Sequence, residues 1–137
     1  MGISNTFDIS GSALNAQSIS LDTIARNIAN AEVVSGTESG AYRAKRPMFS
    51  TIMKNQFDND SNGGVSIQGF LDSGRDIEKQ RMPDHPLADE EGYIYLSNVN
   101  VVEEMAEMIK TSRSYQSNVE VMNTSKQLMM QTLGLGK

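Results

Sequence analysis

Apolar positions recur with a helical period at both ends of this chain and with a strand-like period in its middle. From Val99 to Gly136 there is no proline, and the first glycine is Gly134. Val101, Met105, Met108, Ser112, Tyr115, Val119, Met122, Lys126, Met129 and Leu133 follow one another by alternating steps of four and three, a heptad-like stripe along one side of a helix. The spacing predicts one long C-terminal helix with a face that needs a partner. Asn100 is placed to cap it, with Glu103 three residues on to complete a capping box, and Glu104 and Glu107 suit the positive end of the helix dipole. Gly134 and Gly136 are expected to stop it. At a rise of about 1.5 Å per residue the helix would be roughly 50 Å long, more than a compact domain of this size needs.

A second helical pattern runs from Ile3 to Ala31 through Phe7, Ser10, Leu14, Gln17, Leu21, Ile24 and Ile28. The two stripes predict an intrachain seam in which Leu14, Leu21, Ile24 and Ile28 meet Met105, Met108, Tyr115, Val119, Met122, Met129 and Leu133. Gly11 and the surrounding serines lower the intrinsic propensity of the N-terminal segment, so in isolation it is expected to fray. Each helix also carries apolar residues away from its seam. Val121, Leu128 and Leu135 fall on the opposite side of the C-terminal one, and Ile9, Ala16 and Ile19 lie off the main stripe of the other. A helix apolar on two faces is normally covered on both, so these six residues are candidates for contact with neighbouring subunits.

Between the helical ends the period changes. Glu32 to Gly40 reads as a loop, Tyr42 to Ile52 as a strand with Pro47 at an edge or bend, and Asn55 to Gly64 as a polar, mobile loop. Val65 to Leu71 alternates like a half-buried strand, and Ile77 to Met82 is expected to be its partner. Pro83-Asp84-His85-Pro86 turns the chain, and Gly92 to Leu96 forms a short strand ahead of the long helix. The expected fold is therefore mainly α. Residues 1–31 and 98–137 pair as a coiled-coil-like helical unit, and 32–97 form a small β-rich insertion.

Composition supports a part built for contacts rather than for a large core. The 137 residues include no tryptophan, four Phe, four Tyr and nine Met, and only 38% are hydrophobic. A net charge of −5 argues against nucleic-acid binding, which needs a concentrated basic face. The one basic cluster, Arg43, Lys45 and Arg46, has the spacing of a solvated strand or loop edge. The absence of cysteine excludes disulfides, thiol catalysis and cysteine-ligated metals. The N-terminus lacks the features of a cleaved secretory signal and no window approaches a membrane span, so membrane insertion is not expected and any export would use another route.

Candidate chemistry changes this picture little. Asp58-Asn59-Asp60-Ser61-Asn62-Gly63 matches the first six positions of a calcium loop, but the twelfth, which should be a bidentate glutamate, is Gly69. His85 sits between Asp84 and Pro86 as a turn residue. Asp89, Glu90 and Glu91 are adjacent carboxylates with no base or pocket beside them. No nucleophile elbow or phosphate loop is present, and the expectation is no enzyme, no metal and no cofactor.

The two ends together resemble the axial proteins of the bacterial flagellum. Ala13 to Ala31, with Asn27 and Asn30, is similar to the signature of the basal-body rod protein family. Glu104 to Ile109 and Arg113-Ser114-Tyr115-Gln116-Ser117-Asn118 are similar to its C-terminal helix. The short length, Tyr42-Arg43-Ala44-Lys45, the passage from Pro86 to Tyr93 and the Leu133-Gly134-Leu135-Gly136 ending look like the C-type, proximal-rod branch. Asn100 departs from the usual aspartate of an Asn-Val-Asp triplet, but it caps equally well. The resemblance implies a structural subunit of the rod, the hollow drive shaft that crosses the periplasm, with the terminal helices inside and the insertion outside. It also implies travel through the flagellar export apparatus, and contacts with further copies, other rod proteins, the adaptor at the rod base and the distal rod protein. The alternatives are another rod or hook subunit, or a coiled-coil adaptor that does not polymerise.

Overall fold

The computed structural model describes residues 3–52 and 63–136, so the calcium-like run from Asp58 to Asn62 and most of the expected polar loop lie outside the described residues. Helix α1 spans Ile3–Ala29 and helix α2 spans Val101–Leu135. Between them the described residues form five strands: β1 (Val34–Ser35), β2 (Lys45–Ile52), β3 (Gly64–Asp72), β4 (Lys79–Arg81) and β5 (Tyr93–Leu96).

Helix α1 ends two residues before Ala31 because its last turns tighten. Asn30 N–H donates to both Arg26 and Asn27 carbonyls, and Ala31 N–H to the Ile28 carbonyl. The Asn30 side chain donates to the Arg26 carbonyl at 2.7 Å, occupying one of the acceptors a helix end leaves unpaired. At the start of α2, Asn100 Oδ1 accepts from Val102 N–H at 3.0 Å and Glu103 N–H at 3.2 Å, as expected of the cap. The Glu103 carboxylate accepts from the Asn100 side-chain Nδ2 at 3.5 Å and from Arg75 at 3.0 Å. Gly134 does not stop the helix, which continues to Leu135 with Gly136 as its C-cap.

The helices pack against each other in antiparallel order. Asn27 faces Glu104, Gln17 faces Asn118, and Gly11 faces Met122. Glu107, Ser112 and Val119 of α2 are half-buried beside a run of covered positions at Glu104, Met108, Thr111, Tyr115, Asn118, Met122, Ser125 and Met129. The positions of this run recur by four and three, as expected, but every second member is one residue earlier than the apolar stripe and is polar.

Helix α1 has a second covered flank. The hairpin of β2 and β3 packs against it, and Ser12 Oγ accepts from Val65 N–H at 3.1 Å. The hairpin pairs Lys45 with Asp72 at its base and Ile52 with Gly64 at its far end, with a bulge between Met48 and Phe49. Pro47 is tolerated there because a two-stranded sheet is all edge.

The expected pairing of Ile77–Met82 with the Val65 strand is not what forms. β4 pairs with β5 in a separate sheet of order β1-β5-β4, and β3 takes β2. The cause is local closure. Met82 N–H donates to the Gly92 carbonyl and Asp89 N–H to the Tyr93 carbonyl, folding residues 82–93 into a compact connection that delivers β5 directly beside β4. Val34 and Ser35, expected in a loop, add a third strand opposite Leu96 and Tyr95.

That connection is organised by Asp89. Its Oδ1 accepts from Tyr93 N–H at 2.8 Å and Glu91 N–H at 3.0 Å, and Oδ2 from the Tyr95 hydroxyl at 3.3 Å. The Tyr93 N–H bond is the main reason its carboxyl titrates below the ordinary value of 3.8. A depressed folded pKa means the turn gains stability above the unfolded value and loses it as pH falls through the folded one. In an NMR titration from neutral to strongly acidic pH, the Tyr93 and Glu91 amide shifts are expected to move together with a midpoint below 3.8. A midpoint at or above that value would refute the assignment. His85 is likewise a turn residue, its Nδ1 accepting from Leu87 N–H at 3.1 Å.

Candidate functional site

Two features stand out for a chain with so little buried apolar surface. Among the described residues the buried apolar set is Ala16, Ile24, Ala41, Ala44 and Ile94, outnumbered by buried Ser10, Thr23, Asn27, Ser97, Asn98, Glu104 and Thr111. The first feature is the polar junction that joins the helix pair to the insertion. The second is the apolar surface that α2 leaves uncovered.

The junction centres on Asn27, which is 1% exposed. Its Nδ2 donates to the Lys45 carbonyl at 2.9 Å and to Glu104 Oε2 at 3.1 Å. Its Oδ1 accepts from the Tyr42 hydroxyl at 3.0 Å and from Lys45 N–H at 2.9 Å. All four hydrogen-bonding positions of the amide are thus used. Burial pushes the Tyr42 phenol above its usual pKa, which keeps it a donor. Buried Glu104 also faces Arg46 at 3.5 Å. From the other side Asn98 Oδ1 accepts from Ala44 N–H at 2.7 Å, while its Nδ2 donates to the Arg75 carbonyl at 2.8 Å and the Ser73 carbonyl at 3.4 Å. The basic cluster is therefore not simply solvated. Lys45 pairs with Asp72 at 2.8 Å, Arg46 with Glu104, and Arg43 donates to the Arg75 carbonyl at 3.4 Å.

Of the residues expected in the seam, Ile24 is buried, and Leu14, Leu21, Ile28, Met108, Tyr115, Val119, Met122 and Met129 are half-buried. Met105 and Leu133 are not in it: they are 54% and 69% exposed. Glu104 takes the place of Met105, and polar residues of the seam find hydrogen bonds across the pair. Asn118 Nδ2 donates to Gln17 Oε1 at 3.0 Å, and Glu104 accepts from Asn27.

Among the candidates for contact with other subunits, Ile9, Val121 and Leu128 are exposed and Ile19 is half-buried. Leu135 closes α2, and its side chain lies outside what is described. Ala16 is a correction: at 4% exposure it is covered within the chain, one turn from Ser12 on the flank where the hairpin lies. Val102 and Ile109, which the apolar stripe passed over, are 76% and 56% exposed and with Met105 form a second stripe by steps of three and four. Of the signature residues, Asn27 anchors the junction, Asn30 caps α1, Tyr115 and Asn118 line the seam, and Arg113 is exposed. Asn98 was not singled out by the sequence reading; a polar residue just before a helix cap carries no hydropathy signal.

Comparison with known proteins decides the family. A family model described as flagella basal body rod protein matches residues 7–36, and one described as flagellar basal body rod FlgEFG protein C-terminal matches residues 90–135. The flagellar basal-body rod protein FlgC of Yersinia enterocolitica is 44% identical over 137 residues, covering all of both chains. The chain belongs to the FlgC family of flagellar basal-body rod proteins. FlgC of Escherichia coli O157:H7 is likewise 44% identical over its full length, and that of Salmonella typhimurium 42%. Membership makes the chain a structural subunit of the flagellar basal-body rod. The junction and the uncovered faces of α2 are then features of an assembly part. Among the described residues no cluster of side chains is suited to hold a metal ion, and no helix is long and apolar enough to cross a membrane.

Proposed function

We propose that the chain polymerises through its terminal helices, which act as a coiled-coil-like unit in the inner layer of the hollow rod, with the β-rich insertion outside. In that position the subunit transmits torque through many side-chain contacts. Its neighbours are further copies, the other proximal rod proteins, the adaptor at the rod base and the distal rod protein, and it reaches them through the flagellar export apparatus.

The observation that carries this reading is the apolar surface of α2. One face of the helix is covered by α1, yet Val102, Met105 and Ile109 on one flank and Val121 and Leu128 on another stay in solvent. Apolar groups arranged in stripes on a long helix are what a neighbouring subunit would cover. Faces that differ from each other suit head-to-tail contacts, which build filaments rather than closed dimers.

Replacing Val121 and Leu128 together with aspartate tests it. Both side chains are about half exposed, so the isolated variant is expected to unfold within about 0.5 kcal/mol of the parent. Cells carrying it are expected to lose swimming, and purified basal bodies to lack the subunit. Normal swimming with full incorporation would overturn the helix-face reading.

A further inference from the structure

The chain crosses between the helix pair and the insertion along residues 30–44 and again at 97–100, and the first crossing is gripped from two sides. Asn27 on α1 holds both the N–H and the carbonyl of Lys45 and the hydroxyl of Tyr42. On the second crossing, Asn98 holds Ala44 N–H through its side chain, and its own N–H donates to the Tyr42 carbonyl at 3.3 Å. We propose that Asn27 is a positioning residue which, with Asn98, fixes the angle at which the insertion is carried on the helix pair, and that incorporation into the rod depends on that angle.

Apolar burial is non-directional, and it fixes an angle only where large side chains interlock. Here the buried apolar residues beside the grip are Ala41 and Ala44, each a single methyl group. Farther along α1 the hairpin is held by its own packing and by the Ser12–Val65 bond, but at the junction itself the orientation comes from hydrogen bonds, which weaken steeply once bent. Asn27 supplies four in one planar group, two of them to the same backbone residue, so neither translation nor rotation of residue 45 leaves the set intact. The Lys45–Asp72 ion pair lies within the hairpin, and the Arg75–Glu103 pair is exposed and cannot substitute, because solvated pairs tolerate many geometries.

This goes beyond the polymerisation reading, and its first measurement is made on the isolated full chain, so either can fail without the other. The chain has no cysteine, so Gln68→Cys on β3 and Gln116→Cys on α2, both exposed, place two spin labels on a clean background. Pulsed electron paramagnetic resonance then reads the distance between insertion and helix pair. Asn27→Ala is expected to broaden the distribution at least twofold while circular dichroism still reports the helices, and cells carrying the unlabelled variant are expected to stop swimming. Met122→Ala, in the seam opposite Gly11 and away from the grip, should lower thermal stability and leave the distribution narrow. If Asn27→Ala does not fold, Tyr42→Phe removes one donor and should give a smaller broadening. Asn27→Asp should broaden the distribution, and adding Glu104→Gln, which returns an amide to the pair, should narrow it again. An unchanged width in the folded Asn27 or Tyr42 variant, equal broadening in Met122→Ala, or normal swimming with a broadened distribution would overturn the proposal.

Discussion

Ile24→Ala is expected to cost this chain about 2–5 kcal/mol of unfolding free energy, the usual range for removing a buried branched side chain and leaving a cavity. Ile24 is 4% exposed and, with Ile94, is one of two large apolar side chains buried among the described residues. A loss of that size is a large part of the roughly 5–15 kcal/mol that holds a typical domain together. It falls on the face of α1 turned to α2, where the other apolar members are only half-buried and the remaining contacts are polar. Urea unfolding followed by circular dichroism checks it against Leu133→Ala, a residue 69% exposed whose truncation is expected to change stability by less than about 0.5 kcal/mol. Equal shifts for the two would mean that the helix seam is not where stability resides.

Asn98→Ala is expected to rank beside it, at about 3 kcal/mol, since an unpaired buried donor or acceptor costs roughly 1–3 kcal/mol and several are stranded at once. The buried Ala44 N–H loses its partner at 2.7 Å, the part-buried Ser73 carbonyl loses its donor, and the Arg75 carbonyl keeps only the longer bond from Arg43. Asn98→Asp separates the two halves of this effect. The carboxylate can still accept from Ala44 N–H, but it faces two carbonyl oxygens with no proton to offer. The aspartate variant is therefore expected to be destabilised at neutral pH and to recover in part as acid protonates it. A neutral-pH stability equal to the parent's would show that the two carbonyls do not need Asn98.

These two residues mark where the sequence was legible and where it was not. The helices at both ends, the cap at Asn100 and the β-rich middle follow from period and local chemistry, which act over a few residues. The family was legible too, because its motifs sit on those same helices. The seam was readable in period but not in phase. Hydropathy selects Met105 over Glu104, whereas Glu104 is the buried one because Asn27 waits opposite it, 77 positions away in the chain. No local pattern records such a partner. The strand pairing failed for a related reason: Ile77–Met82 carries no mark of which strand it joins, and the choice was made by the bonds that close residues 82–93. Ala16 lies on the flank of α1 where a hairpin distant in sequence packs, its Val65 meeting Ser12 one turn away, and local hydropathy does not register such a cover.

The antiparallel order of the helices has a mechanical consequence. Helix α1 hands the chain to the insertion at Ala29 and α2 takes it back at Val101, and the Asn27–Glu104 contact puts both junctions at one end of the pair. A force applied where the insertion joins the helices therefore enters both at the same end and in the same sense. It loads them in parallel, as two legs of one strut, and does not slide one past the other along a seam held by a few half-buried methionines and single hydrogen bonds.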